Sequence, residues 1–178
     1  MFYKQLGDHI LCVKDNDDVI LFAPDTQRYV NDNKLAWLST DAKIVRLPDY
    51  TFVFDDDPRV LDSAKQAKIA ELGASFDERV AGSFTTSHGY SMQFDTSDSL
   101  KMQGAISLME ATGATEGYLT QANDETVYHV PLATMKAVLV EMLAAYAACH
   151  ARKQELRALI NAAQTAEDLD EIIISWPV

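Results

Sequence analysis

Four histidines, two cysteines and several short acidic runs are the residues of this chain best suited to catalysis or metal binding. His9, His88, His129 and His150 are widely separated, and the one close pair, Cys149-His150, does not have ligand spacing. Cys12 lies in an apolar, strand-like run and Cys149 in a helical one, with no CxxC or Cys/His pattern. Both read as small buried hydrophobes. Asp15-Asn16-Asp17-Asp18 begins like a calcium loop but lacks the central Gly and terminal Glu, so it reads as the solvated turn of a hairpin. Asp55-Asp56-Asp57 fits either a weak cation site or an acidic helix entry favoured by the helix dipole. Ser and Thr cluster around His88 between residues 83 and 99, without a G-x-S-x-G elbow or a nearby carboxylate to orient the imidazole. The glycines form no phosphate-binding loop. The expectation is a non-enzymatic protein with no cofactor, no metal and no catalytic residues.

The elements that must position these side chains fall into two compositional halves. Residues 1–64 carry twelve Asp and no Glu, whereas residues 65–178 carry nine Glu and six Asp. Aspartate favours turns and caps, while glutamate tolerates helix interiors. The front should be strands and turns, and the back should be rich in helix. Residues 9–13 and 19–23 are apolar runs at hairpin spacing, and residues 43–47 and 50–54 flank Pro48-Asp49 as a second hairpin. Leu35, Trp37 and Leu38 fit a helical turn or a short strand. Asp57 then caps a helix that begins at Pro58. This places a small β-rich domain at residues 1–57 and a second domain at 58–178.

The second domain opens with a helix over residues 58–80, where Gly73 is a weak point. A hairpin of residues 83–86 and 90–94 follows, with Tyr90, Met92 and Phe94 alternating against Ser91 and Gln93. Ser97 is the expected N-cap of a helix to residue 112, closed by Gly113. A further hairpin turns at Asn123-Asp124. From residue 132 to residue 176 there is no Gly or Pro. There Met135, Leu139, Met142, Tyr146, Cys149, Lys153, Leu156, Ile160 and Ala163 step alternately by four and three, a heptad seam. Thr165-Ala166-Glu167-Asp168 has the form of a capping box that starts a short helix. Leu169, Ile172 and Ile173 would continue that helix, and Trp176 would tuck back onto the core. The fold class expected is therefore α+β.

Hydrophobic content of 48% is enough for a core, and no run of about 18 consecutive apolar residues marks a membrane span. Met1-Phe2-Tyr3-Lys4-Gln5 lacks a basic-then-apolar signal pattern, so synthesis in the cytoplasm is expected. A net charge of −12 repels phosphates and anionic lipid, which argues against nucleic acid and membrane as partners and favours neutral or basic protein surfaces.

From about residue 61 onward the order of elements resembles a phage- and prophage-encoded domain found in tail and tail-fibre assembly proteins. The likeness rests on Lys65-Gln66-Ala67-Lys68-Ile69, on His88-Gly89 and Phe94-Asp95, and on Gly104-Ala105-Ile106. It rests also on Asn123-Asp124-Glu125-Thr126, on residues 157–163, and on Thr165-Ala166-Glu167-Asp168-Leu169. It spans about residues 61–174, and Leu119-Thr120 stands where that domain more often has an aromatic. The resemblance implies a non-enzymatic component of the tail fibre or tail tip, acting by protein contacts. It would be located in the host cytoplasm during assembly or in the virion tail, with a tail-fibre or tail-tip protein as partner. An assembly chaperone is the alternative within this reading, and a glycan-binding or glycan-cleaving tail protein is the alternative outside it. Met135, Leu139, Met142, Tyr146, Leu156 and Ile160 are the candidate interface residues, and self-association through the narrower second half of the seam is a further expectation.

Overall fold

The computed structural model describes residues 1–14, 20–27 and 35–177; the run Asp15-Asn16-Asp17-Asp18, read above as a turn, lies outside them. The fold is α+β: antiparallel strands precede helices that include a long C-terminal one. The chain forms two compact units. The first comprises Met1–Lys68 with Ala163–Leu169, and the second Ile69–Ala162 with Asp170–Val178. The sequence reading put the boundary at residue 57, whereas these units divide within a helix, at residue 68.

In the first unit, β1 (Phe2–Leu6), β2 (His9–Lys14), β3 (Ile20–Phe22), β4 (Leu38–Ser39), β5 (Ile44–Arg46) and β6 (Phe52–Phe54) form one antiparallel sheet. The path runs β4-β1-β2-β6-β5. β2 pairs with β1 along one edge, while its other edge is shared between β3, opposite Cys12 to Lys14, and β6, opposite Ile10. Both expected hairpins of the front are present as β2–β3 and β5–β6. β1 had no strong signal, because Lys4 and Gln5 interrupt its apolar pattern and a bulge falls between them. Ile10, Val13, Ala23, Ile44 and Phe52 pack as one core, supported by Tyr3 edge-on to Phe54. Leu11 and Cys12 form a second cluster with Phe22 and Leu35. Burial pushes the Cys12 thiol up from its ordinary pKa, which suits an inert packing residue.

Helix α1 (Pro58–Ala81) begins as read, with Asp57 accepting the Arg59 amide at 2.9 Å. Gly73 does not divide it. The second unit continues with β7 (Ser83–Thr85), β8 (Ser91–Gln93), α2 (Thr96–Thr112), β9 (Glu116–Thr120), β10 (Val127–Pro131) and α3 (Leu132–Ala162). The N-cap of α2 is Asp95, not Ser97: its carboxylate accepts the Asp98 amide at 2.8 Å. Asp95→Ala should therefore destabilise the protein by about 1 kcal/mol and Ser97→Ala by much less, as read by urea denaturation. Gly113 ends α2 with φ of 72°, donating to the carbonyls of Met109 and Glu110.

The second unit is built around a core that draws on all its main elements. Phe76, Val80, Met92, Phe94, Met102, Ile106, Met109, Leu119, Val130, Met135, Val138, Met142 and Cys149 are buried together. Gly117 packs closely: a Cβ there would lie 2.7 Å from the Met109 sulfur and 2.8 Å from that of Met135, so both methionines would have to shift. At the far end of α1, Phe76 meets Tyr146 and Trp176 edge-on, with the Lys153 ammonium 4.1 Å from its ring centre. Trp176 tucks in as expected, its indole N–H donating to the Ser75 hydroxyl at 2.9 Å.

In the first unit, Thr165 and Asp168 form the reciprocal capping box. The Thr165 hydroxyl accepts the Asp168 amide, and the Asp168 carboxylate accepts the amides of Gln164 and Thr165. These bonds hold the Asp168 carboxyl below the usual range. The short helix α4 (Ala166–Asp170) stops before Ile172, and Ile173 is 75% exposed, so neither continues it.

Helix α3 is long and apolar enough to cross a membrane by composition, with one 18-residue window of mean hydropathy 1.5. Its inner face, Met135, Val138, Met142 and Cys149, builds the core of the second unit. The rest mixes alanine with large apolar residues that stand in the open, Val140, Leu143 and Leu159.

Candidate functional site

The residues whose types suggested chemistry do not converge. Among the described residues no three of His, Cys, Asp and Glu are grouped to hold a metal. His150 stacks on Tyr146 beside Phe76. His129 lies in β10 with its Nδ1 3.2 Å from Glu116 and its ring beside Tyr118. The His129 contacts stay within one hairpin, and His150 packs on Tyr146 of its own helix and on Phe76 of α1. Cys149 sits under the C-terminal tail, 3.9 Å from the Pro177 carbonyl, and burial raises its thiol pKa.

The loop at His88 gains a carboxylate that the sequence did not reveal. Glu141 of α3 accepts the Ser87 amide at 2.7 Å and the Ser87 hydroxyl at 2.5 Å. A nucleophilic serine needs a base that takes its proton near neutral pH. Glu141 is the opposite: these bonds, with a smaller contribution from His88, hold its carboxyl below the ordinary value of 4.5. The contact clamps the β7–β8 loop to α3. Because the folded pKa is depressed, the clamp's contribution is present above about pH 4.5 and is lost as pH falls through the folded value. Ser87→Ala should raise the Glu141 pKa toward its ordinary value, readable by carbon NMR titration of the side-chain carboxyl.

Each unit contains a cavity. In the first, about 380 Å³ is lined by residues including Asp8, His9, Thr26, Phe52 and Arg59. Arg59 is already committed to Asp57, donating to both carboxylate oxygens at 2.8 and 2.9 Å and bringing that carboxyl to about 2. Among the described residues, Asp8 is the one carboxylate in its lining. A glycosidase needs two facing carboxylates. Trp37, an aromatic of the kind that stacks on sugars, has the Lys4 ammonium 4.7 Å from its ring centre.

In the second unit a cavity of about 360 Å³ lies between β8 and β9, walled by Met102 of α2 and by Met135 and Met142 of α3. Met92 and Leu119 complete the apolar wall. Methionine is unbranched and polarisable, so such a wall adapts to differently shaped apolar groups. The volume falls within the range of about 300–1,000 Å³ typical of binding pockets. Its two charged lining residues neutralise each other, with Lys101 2.7 Å from Asp98.

The rims of this cavity are strand edges. β7 pairs with β8 and β9 with β10, each as a separate two-stranded sheet. β8 is joined to the two residues that follow β9. There the Ala122 amide donates to the Ser91 carbonyl at 2.8 Å, and the Ser91 amide donates to the Gln121 side-chain carbonyl at 2.8 Å. Gln121 is itself buried and is held further by Tyr128 and Asp124.

Two of the candidate interface residues, Met135 and Met142, are thus in the cavity wall, 2% and 0% exposed. Leu139 and Tyr146 are half-buried against the core of the second unit. Leu156 and Ile160 are 1% and 0% exposed. Met135, Met142, Leu156 and Ile160 are therefore interior, while Leu139 and Tyr146 keep part of their surface open. Helical periodicity identifies a buried face but not what covers it. Sequence reading missed the cavity because Met92, Met102 and Leu119 come from three elements, each of which reads as ordinary core.

Residues 63–173 match the family model described as a domain of unknown function, DUF4376, and the chain belongs to that family. No curated protein and no solved structure matches the chain.

Proposed function

We propose that this protein is a non-enzymatic component of a bacteriophage tail that binds a tail-fibre or tail-tip protein through its second unit. The observation that carries a binding role is the methionine-walled cavity between β8 and β9. Its methionine and leucine wall is apolar, and its acid–base pair, Asp98 with Lys101, is self-neutralised. Such a surface selects shape and apolar contact over chemistry. The tail setting comes from the resemblance of residues 61–174. On this reading the protein acts in the host cytoplasm during assembly, and in the virion tail if it is retained. The net charge of −12 favours a neutral or basic partner surface.

Quantitative mass spectrometry of purified virions against infected-cell lysate tests this reading. Stoichiometric recovery in particles identifies a structural tail subunit. Presence in lysate and absence from particles identifies an assembly chaperone. Absence from both overturns the tail assignment.

A further inference from the structure

We infer that the cavity of the second unit receives an extended polypeptide segment, which enters between β8 and β9 and joins the two small sheets. This rests on the reading of that cavity as a protein-binding site. In an antiparallel pair the backbone groups of successive residues point alternately toward one neighbour and away from it. The Gln121 amide donates to the Thr126 carbonyl and the Leu132 amide to the Thr115 carbonyl, so residues 115 and 121 face the β10 side. By the period of two, Gly117 and Leu119 do the same, opposite Val130 and Tyr128. Tyr118 and Thr120 therefore direct their backbone N–H and C=O groups to the other edge, toward the cavity.

The same reasoning holds across the gap. The Thr86 amide donates to the Tyr90 carbonyl, and Phe84 lies opposite Met92. Tyr90 and Met92 thus face β7, while Ser91 and Gln93 face away from it. Ser91 is already satisfied by Gln121 and Ala122 at the closed end. Gln93 has no strand beside it on that edge among the described residues. Two edges with unused peptide groups thus flank a pocket with an apolar floor. Peptide backbone is the chemistry that satisfies both edges at once. At the closed end, the Gln121 side-chain amide already performs that bridging for one residue.

Three features define the occupant. Methionine walls select apolar side chains at alternate positions, the ones that point down from a strand into the floor. The Asp98–Lys101 pair leaves no unmatched charge among the lining residues to hold a charged end group. The protein's acidity disfavours an acidic segment.

The test uses the full-length protein and a mixture of acetylated, amidated peptides in which valine, leucine or isoleucine alternates with lysine or threonine. Amide exchange and methionine methyl NMR signals are followed together. The expected result is exchange slowed by about tenfold at Gln93, Tyr118 and Thr120, with shifts at the Met92 and Met102 methyl groups. A mixture N-methylated at alternate backbone nitrogens should give no protection. Methyl shifts without amide protection would overturn strand insertion while leaving a protein-binding cavity. No response from either probe would overturn the cavity as a peptide site and, with it, the structural basis offered for the binding role.

Discussion

Phe94→Ala is expected to cost about 3–5 kcal/mol of stability, the range for removing a large buried aromatic. Phe94 is 0% exposed, meets Phe84 edge-on at 5.3 Å between ring centres, and lies 4.9 Å beneath the Arg79 guanidinium. It leaves β8 just before the Asp95 cap, so one side chain ties the hairpin, α1 and the start of α2 to a single core. Truncation leaves a void that rigid helix and strand neighbours can fill only in part. Phe94→Leu keeps most of the volume and should cost much less. Urea denaturation of both variants measures the difference. A loss below about 1 kcal/mol for the alanine variant would mean that this core collapses freely, contrary to the packing described.

Ile160→Glu and Leu156→Glu should each cost more than about 4 kcal/mol, because each places an unpaired carboxylate at a position closed to water. That is a large fraction of the roughly 5–15 kcal/mol that holds a typical domain folded. With 0% and 1% exposure, neither site lets the new charge reach solvent without opening the structure. The expected result is loss of the cooperative thermal transition in circular dichroism. A variant that melts like the parent but changes its elution on size exclusion would return these residues to an intermolecular interface.

Most elements were legible because their signals are local. Gly113 ends α2 because only a left-handed residue continues the chain there without strain. Thr165 and Asp168 cap α4 because each supplies the bond that the other's backbone lacks. Ser97 was mistaken for the cap of α2 because Asp95, two residues earlier, meets the same chemical requirement. β1 was missed because it belongs to the sheet through its pairing with β2 and β4 more than through its own pattern.

The candidate site was not legible. Glu141 lies 54 positions from the Ser87 it clamps, and nothing in the local pattern of α3 distinguishes it from a solvated glutamate. The cavity depends on β8 being joined to Ala122, just beyond β9, while the two strands stay in separate sheets, an arrangement that no side-chain pattern encodes.

By itself the sequence determined where the helices and most of the strands lie, which faces are apolar, and that none of the familiar catalytic or metal motifs is present. Those properties follow from backbone propensity, capping and periodicity, which act over a few residues. Only the tertiary structure decided which residues of the heptad seam are interior, that Ser87 is held by Glu141, and that two strand edges flank a methionine-walled cavity. Each of these depends on residues brought together by packing, and the apolar pattern that drives a face out of water is the same whatever covers it.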